Sequence, residues 1–73
     1  MELLDRIVID PLRRSGQPCI RDTRITVQDI LDYLASGMSM EEIVADFPEI
    51  ERADIQACLA YAAARERRLL GAA

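Results

Sequence analysis

The sequence predicts an α+β protein that is mainly α, with an N-terminal β-strand and hairpin followed by a three-helix, helix-turn-helix bundle. Three observations support this class: a β-branched run near the start, three stretches with apolar residues at helical spacing, and a capped helix start with a proline stop within residues 37–55. The 73 residues suffice for one domain, residues 1–73. Because so short a chain buries only about 60% of its unfolded surface, we expect self-association as a homodimer.

The composition argues against catalysis. All nine basic residues are arginine, and the chain has no histidine and no lysine, which excludes histidine catalysis, histidine metal ligation and lysine Schiff-base chemistry. It contains no Gly-rich phosphate loop and no Cys-x-x-Cys pair, and no serine has a candidate base beside it. We therefore predict a non-enzymatic protein with no cofactor, no metal and no small-molecule substrate.

Cysteine and hydropathy patterns indicate the compartment. Cys19 and Cys58 lie among apolar neighbours, so we interpret them as reduced, small hydrophobic residues and not as a disulfide. No apolar run approaches the roughly 20 residues that a membrane span needs, and the N-terminus lacks the apolar core of a signal peptide. We expect a cytoplasmic protein without membrane contact.

Residues 5–27 are predicted to form the β segment. Residues 6–10 form a β-branched run that ends at an Asp-Pro pair, which is typical of a short strand. Its continuous apolarity indicates that both faces are covered, and a second subunit could supply part of that cover. The dimer candidates are therefore Ile7, Val8 and Ile9. After a polar loop, residues 18–21 and 24–27 predict a tight hairpin, with Asp22 at a position that requires positive φ.

Residues 27–70 are predicted to form the helical bundle. Thr26 is a good N-cap for a helix from Val27 to about Ser36, whose apolar face follows the i, i+3, i+4, i+7 pattern and which ends at Gly37. Asp29, in its first turn, suits the helix dipole. Ser39 and Glu42 predict a capping box for a second helix over residues 40–47, which Pro48 stops.

A third helix is predicted over residues 52–70. We expect its core stripe to be Ile55, Leu59, Ala62 and Leu69, flanked by Cys58. Beside Tyr61, the small residues Ala57, Ala60 and Ala64 form a second face, which is either alanine used as a helix former or a close contact with another helix or chain. The last turns carry Arg65, Arg67 and Arg68, which form either a solvated helix end or a contact with phosphate or a partner. Residues 71–73 should fray.

The charge distribution bears on nucleic-acid binding. The net charge is −4, yet residues 26–54 contain eight acids and one arginine, so the helix-turn-helix region is strongly acidic. If the third helix were the recognition helix of a DNA-binding protein, Arg52 and Gln56 would be its base readers. Its first exposed positions would be Ala53, Asp54, Gln56, Ala57 and Ala60. Glu49, Glu51 and Asp54 would repel phosphates. In a dimer, four loop and hairpin arginines could offset this repulsion, or they could simply keep strand edges soluble: Arg13, Arg14, Arg21 and Arg24.

Residues 16–27, which read Gly-Gln-Pro-Cys-Ile-Arg-Asp-Thr-Arg-Ile-Thr-Val, carry a recognisable motif. Together with Arg-Ile-Val-Ile-Asp-Pro before it, and with Gly-Met-Ser-Met-Glu-Glu-Ile and Asp-Phe-Pro after it, the chain resembles the small prokaryotic family known as domain of unknown function 433. The resemblance covers about residues 5–63. One departure is Asp22, where the family usually has glycine. Because Asp tolerates a left-handed backbone at a cost on the order of 1 kcal/mol, we expect the turn to survive.

This resemblance implies a homeodomain-like helix-turn-helix fold and a predicted role as the antitoxin of a type II toxin–antitoxin pair, beside a PIN-related nuclease toxin. An acidic helical face would complement basic surroundings on such a nuclease. The toxin-binding candidates are Asp29, Asp32, Glu41, Glu42 and Asp46. The dimer could also bind operator DNA and repress its own transcription. The alternatives are a stand-alone dimeric helix-turn-helix regulator of transcription and an interaction adaptor that binds neither toxin nor DNA.

Overall fold

A computed structural model describes residues 3–70, except the side chain of Leu70. It confirms the α+β, mainly α class. The elements are, in order, a 3-10 turn (Leu3–Arg6), β1 (Ile7–Val8), a second 3-10 turn (Arg14–Gly16), β2 (Cys19–Ile20), α1 (Val27–Ala35), α2 (Met40–Asp46) and α3 (Arg52–Leu70). The expected fraying of residues 71–73 lies outside the described part of the chain. Among the described residues, no helix combines the length and apolarity required to cross a bilayer.

The β segment is a small antiparallel sheet joined to a tight turn. β1 pairs with β2, with Ile7 opposite Ile20 and Val8 opposite Cys19. The turn that follows is closed by the Ile20 N–H, which donates to the Ile25 carbonyl at 2.9 Å. Asp22 has φ of 64°, which confirms the left-handed position predicted from the sequence. The expectation that both faces of the 6–10 run are covered is wrong within one chain, because Ile9 is 60% exposed.

Reciprocal capping sets the starts of the first two helices. Thr26 Oγ1 accepts from the Asp29 N–H at 2.9 Å, and the Asp29 carboxylate accepts from the Thr26 N–H at 3.1 Å. The Ser39 hydroxyl and the Glu42 carboxylate repeat this arrangement at 3.1 and 2.7 Å, as predicted. Gly37, with φ of 105°, follows the end of α1. The local sequence therefore dictates where these helices begin and end.

One hydrophobic core joins the sheet to all three helices. The ring of Tyr33 stacks on that of Phe47 with centroids 5.4 Å apart, which packs α1 against the end of α2. Both rings, together with Ile7 and Tyr61, pack against the core from its edge. The buried core cluster consists of Ile20, Ile25, Val27, Ile30, Ile43, Ile50, Ile55 and Cys58.

The predicted core stripe of α3 is wrong in part. Ile55 is fully buried, but Leu59 is 39% and Leu69 is 71% exposed. The buried positions are instead Asp54, Ala57 and Cys58, continued by the half-buried Tyr61. These residues follow the i, i+3, i+4, i+7 spacing of one helix face, and the N-terminal 3-10 turn and α1 pack on α3. The full burial of Ala57 supports the close-contact interpretation of the alanine face at this position.

Candidate interaction surfaces

An ion cluster attaches the N-terminal segment to the start of α3. Arg6 Nη1 donates to Asp54 Oδ1 at 3.0 Å and to Glu51 Oε2 at 3.1 Å. The other carboxylate oxygen of Asp54 accepts from the Glu51 N–H at 2.9 Å, which caps the helix. These bonds, first to Asp54 and then to Glu51, raise the pKa of Arg6 above its ordinary value. Arg6 Nε is buried without a hydrogen-bond partner among residues 3–70.

This cluster overturns part of the predicted recognition helix. Asp54 is 6% exposed and Ala57 is fully buried, so neither can face a DNA groove or a phosphate. Arg52 and Gln56 are exposed, yet Arg52 Nη1 donates to Glu41 Oε2 at 2.8 Å. The pKa of Glu41 is lowered by its own backbone N–H first and by Arg52 second. Of the two residues predicted to read bases, Arg52 is therefore paired with an acid and Gln56 is exposed.

Four arginines lie on two segments that contact each other, the loop before β2 and the turn after it, and we call them the arginine cluster: Arg13, Arg14, Arg21 and Arg24. The Arg13 guanidinium donates to the Thr23 carbonyl at 3.1 Å, and the Arg14 guanidinium donates to the Arg24 carbonyl at 2.8 Å. These two bonds hold the 3-10 turn Arg14–Gly16 over residues 21–24. A single chain therefore brings the loop of Arg13 and Arg14 against residues 23 and 24, while binding of DNA by these arginines stays a prediction.

The loop that carries two of these arginines has an unusual backbone. Arg14 and Ser15 have φ of 49° and 59°, in the left-handed region that side-chain-bearing residues seldom adopt. Such conformations cost on the order of 1 kcal/mol or more each, and they persist where surrounding contacts determine them. Here the contacts are the guanidinium–carbonyl bonds to the hairpin and the bond that the Gly16 N–H donates to the Arg13 carbonyl at 3.0 Å.

The five acidic toxin-binding candidates differ in what their carboxylates already bind: two complete capping boxes, and three do not. Asp29 and Glu42 complete the capping boxes, and Asp29 also lies 3.4 Å from Arg14. Glu41 pairs with Arg52. Asp32 accepts from Gln28 Nε2 at 3.0 Å and is exposed, as is Asp46. Two of the five carboxylates therefore stabilise helix starts, a role that sequence reasoning assigned to Glu42 but missed at Asp29.

A groove of about 340 Å³ runs between α1, the loop before β2 and the C-terminal half of α3. Its walls combine apolar side chains with one arginine and several polar groups, chiefly Leu31, Tyr61, Leu69, Arg65, Gln17 and Gln28. Elsewhere on the surface, large hydrophobic side chains are exposed at Leu4, Ile9, Leu12 and Leu59. The sequence analysis named Ile9 as a dimer candidate but did not identify the other three as exposed. Hydropathy alone does not say which face of an element is covered.

Both cysteines are buried and free, as predicted. Burial, with a smaller contribution from the Asp54 charge, raises the pKa of Cys58 to about 12, so its thiol stays protonated at neutral pH. Within residues 3–70, no three Cys, Asp or Glu side chains are grouped as metal ligands would be.

Comparison with known proteins identifies the family. The model of the family described as "Protein of unknown function (DUF433)" matches residues 7–62. The crystal structure of a DUF433 member from Anabaena variabilis ATCC 29413 superposes with a TM-score of 0.80 at 30% sequence identity. That match covers 86% of this chain and 62% of the Anabaena protein, so the chain spans less than two thirds of that protein's length. A search of curated proteins found no match. The chain therefore belongs to the DUF433 family.

Proposed function

We propose that this chain is a non-catalytic, antitoxin-like protein of a type II toxin–antitoxin pair, which neutralises a PIN-like nuclease toxin by binding it. The observation that carries the proposal is the amount of apolar surface left uncovered by so small a chain. Leu4, Ile9, Leu12, Leu59 and Leu69 are each at least 39% exposed. Contiguous exposed apolar surface is typical of sites that bind other proteins, and we propose that these side chains contribute to such sites.

Part of this surface suits a second copy of the chain. β1 pairs with β2 along one edge, and among residues 3–70 no strand pairs with its other edge. An open edge presents unpaired N–H and C=O groups that another strand can use. Ile9, directly after β1, adds an exposed apolar side chain. We therefore propose a homodimer in which β1 segments pair, with Ile7, Val8 and Ile9 at the interface.

The acids of α1 and α2 are proposed to attract the toxin. Residues 26–54 contain eight acids against one arginine, and a field of one sign accelerates association with a partner of the opposite sign. Asp32 and Asp46 are exposed and lie outside the capping boxes. They are the pair that can be neutralised without removing a helix cap.

The test is co-expression of the protein with the PIN-like nuclease encoded beside it, followed by a pull-down and a growth-rescue assay. Wild-type protein should co-purify with the nuclease and restore growth. D32N/D46N should bind more slowly, with a weaker dependence of the association rate on salt. D22N/E66Q removes the same charge from exposed positions outside residues 26–54 and should behave as wild type. No capture and no rescue by the wild-type chain would contradict the proposal.

The second candidate is a stand-alone dimeric helix-turn-helix regulator that binds DNA without a toxin partner. The arginine cluster favours this candidate, because it brings two positively charged segments into contact in a chain whose net charge is −4. An adjacent nuclease gene would favour the antitoxin. Its absence, together with a salt-dependent shift of upstream DNA, would favour the regulator. In an antitoxin, DNA binding by the dimer would add repression of its own operon.

A further inference from the structure

We propose that the arginine cluster binds the phosphate backbone of nucleic acid, and that this contact, made within a single chain, replaces the recognition helix as the nucleic-acid surface of the protein. The inference rests on the nucleic-acid-binding role proposed above and moves that role to a different part of the molecule. It predicts electrostatic binding with little sequence preference, since phosphate contacts carry no base information.

The first argument is charge. Residues 11–25 contain four arginines and one acid, whereas the chain as a whole has a net charge of −4. The guanidinium–carbonyl bonds from Arg13 to Thr23 and from Arg14 to Arg24 join two segments that are ten residues apart, so the two arginine pairs lie on adjoining segments. Residues 11–25 are thus positively charged, in contrast to residues 26–54, which contain eight acids and one arginine.

The second argument is that many guanidinium N–H donors of the arginine cluster are not used in bonds within the chain. A guanidinium has five N–H donors. Arg13 uses one of its donors on a carbonyl, and Arg14 shares Nη1 between a carbonyl and Asp29. Within residues 3–70, the exposed side chains of Arg21 and Arg24 form no hydrogen bond or ion pair. Free, forked N–H donors match the geometry of phosphate oxygens in bidentate pairs.

The third argument concerns the alternatives. At the start of α3, Asp54 and Ala57 are buried and Arg52 is paired with Glu41, so this helix offers little to a DNA groove. A protein partner is the other possible ligand for a cationic patch. However, the cores of protein interfaces are enriched in aromatic residues as well as in arginine, and residues 11–25 contain no aromatic side chain. Nucleic acid is therefore the ligand that this composition favours.

The experiment measures binding of the full chain to a fluorescent 20-base-pair duplex between 50 and 200 mM salt. With four phosphate contacts, wild-type affinity should fall about 150-fold over this range, and with two it should fall about 12-fold. R21Q/R24Q should show the smaller fall and a lower affinity at 50 mM salt. R67Q/R68Q, which removes equal charge from exposed positions near the end of α3, should match the wild-type dependence. A scrambled duplex should bind equally well.

Each alternative to the proposal predicts a different binding result. Loss of duplex binding in R52Q/Q56A with retention in R21Q/R24Q would overturn the placement while preserving nucleic-acid binding. Absence of wild-type binding to duplex, single-stranded DNA and RNA at 50 mM salt would overturn both. Equal or tighter binding to a polyglutamate peptide, lost in R21Q/R24Q, would assign the cluster to an acidic protein instead. Thermal melts that match wild type establish that the variants are folded. Growth rescue by R21Q/R24Q would show that toxin neutralisation does not depend on the arginine cluster, so the two proposals can fail separately.

Discussion

The cap of α1 provides the sharpest test of how burial changes a local interaction. Thr26 is 1% exposed, and its hydroxyl accepts from the Asp29 N–H at 2.9 Å. Thr26→Val keeps the side-chain shape but removes the acceptor, so the Asp29 N–H loses its side-chain partner beside the core. Loss of an N-cap costs about 1 kcal/mol, within a range of about 0.5–2. A fully buried donor left unsatisfied costs about 1–3 kcal/mol, and this cost applies in part here because the Asp29–Thr26 bond is part-buried. We therefore expect the free energy of unfolding to fall by about 2 kcal/mol.

Ser39 provides the matched comparison, because it makes the same capping box at an exposed position. Water can replace its hydroxyl, so Ser39→Ala should cost only about 0.5–1 kcal/mol. Thr26→Ser keeps the acceptor and removes one methyl group, for about 0.8 kcal/mol. Urea unfolding followed by circular dichroism measures all three at one protein concentration, which is required if the chain associates. With a slope of about 1 kcal/mol per molar urea, the Thr26→Val midpoint should fall by about 2 M.

The reasoning is refuted if Thr26→Val costs no more than Ser39→Ala. That result would mean that a buried capping hydroxyl contributes no more to the free energy of unfolding than an exposed one. A similar cost for Thr26→Val and Thr26→Ser would mean that the hydroxyl contributes no more than the methyl group. Because a 73-residue protein has a total stability of about 4–11 kcal/mol, a 2 kcal/mol effect is well within reach of the measurement.

Three further predictions follow from burial and exposure. Ile55→Ala, at a fully buried position, should destabilise by about 2–5 kcal/mol, and an unchanged urea midpoint would contradict the core assignment. The pKa of Cys58 is raised from its ordinary 9.0 to about 12, so folding favours the protonated thiol: stability from this group is full below pH 9 and declines as the pH rises from 9 to 12. Iodoacetamide at pH 8.5 should therefore modify Cys58 in urea and spare it in the folded protein; equal rates would refute this. Ile9→Asp should shift the proposed dimer to monomer in light scattering, whereas Leu12→Asp, at a 93% exposed position, should not; unchanged mass for both would reject the β1 interface.

Much of the fold could be predicted because its signals are local. The start of α2 follows from Ser39 and Glu42, whose side chains cap each other's backbone groups three residues apart. The left-handed turn at Asp22 and the end of α1 at Gly37 depend likewise on a few consecutive residues. The bounds of α3, residues 52–70, were predicted correctly for the same reason.

The candidate surfaces were harder to predict because they depend on contacts between distant residues. Asp54 looked like an exposed acid on a helix, but Arg6, which is 48 residues away in sequence, covers and neutralises it. Leu59 and Leu69 fitted a helical stripe, but the stripe that the rest of the chain covers is rotated towards Ala57 and Cys58. Helical periodicity identifies possible faces, whereas burial is decided by what packs on them.

By itself, the sequence determined the class of the protein, the helix boundaries and the absence of histidine and lysine chemistry, since each follows from composition or from residues within one turn of each other. The tertiary structure alone decided which charges are available to a partner. It placed Asp54 under Arg6 and gathered Arg13 and Arg14 over the hairpin through bonds to Thr23 and Arg24. The physical reason is that a charge acts through its distance to other charges and to water, and those distances exist only once the chain has folded.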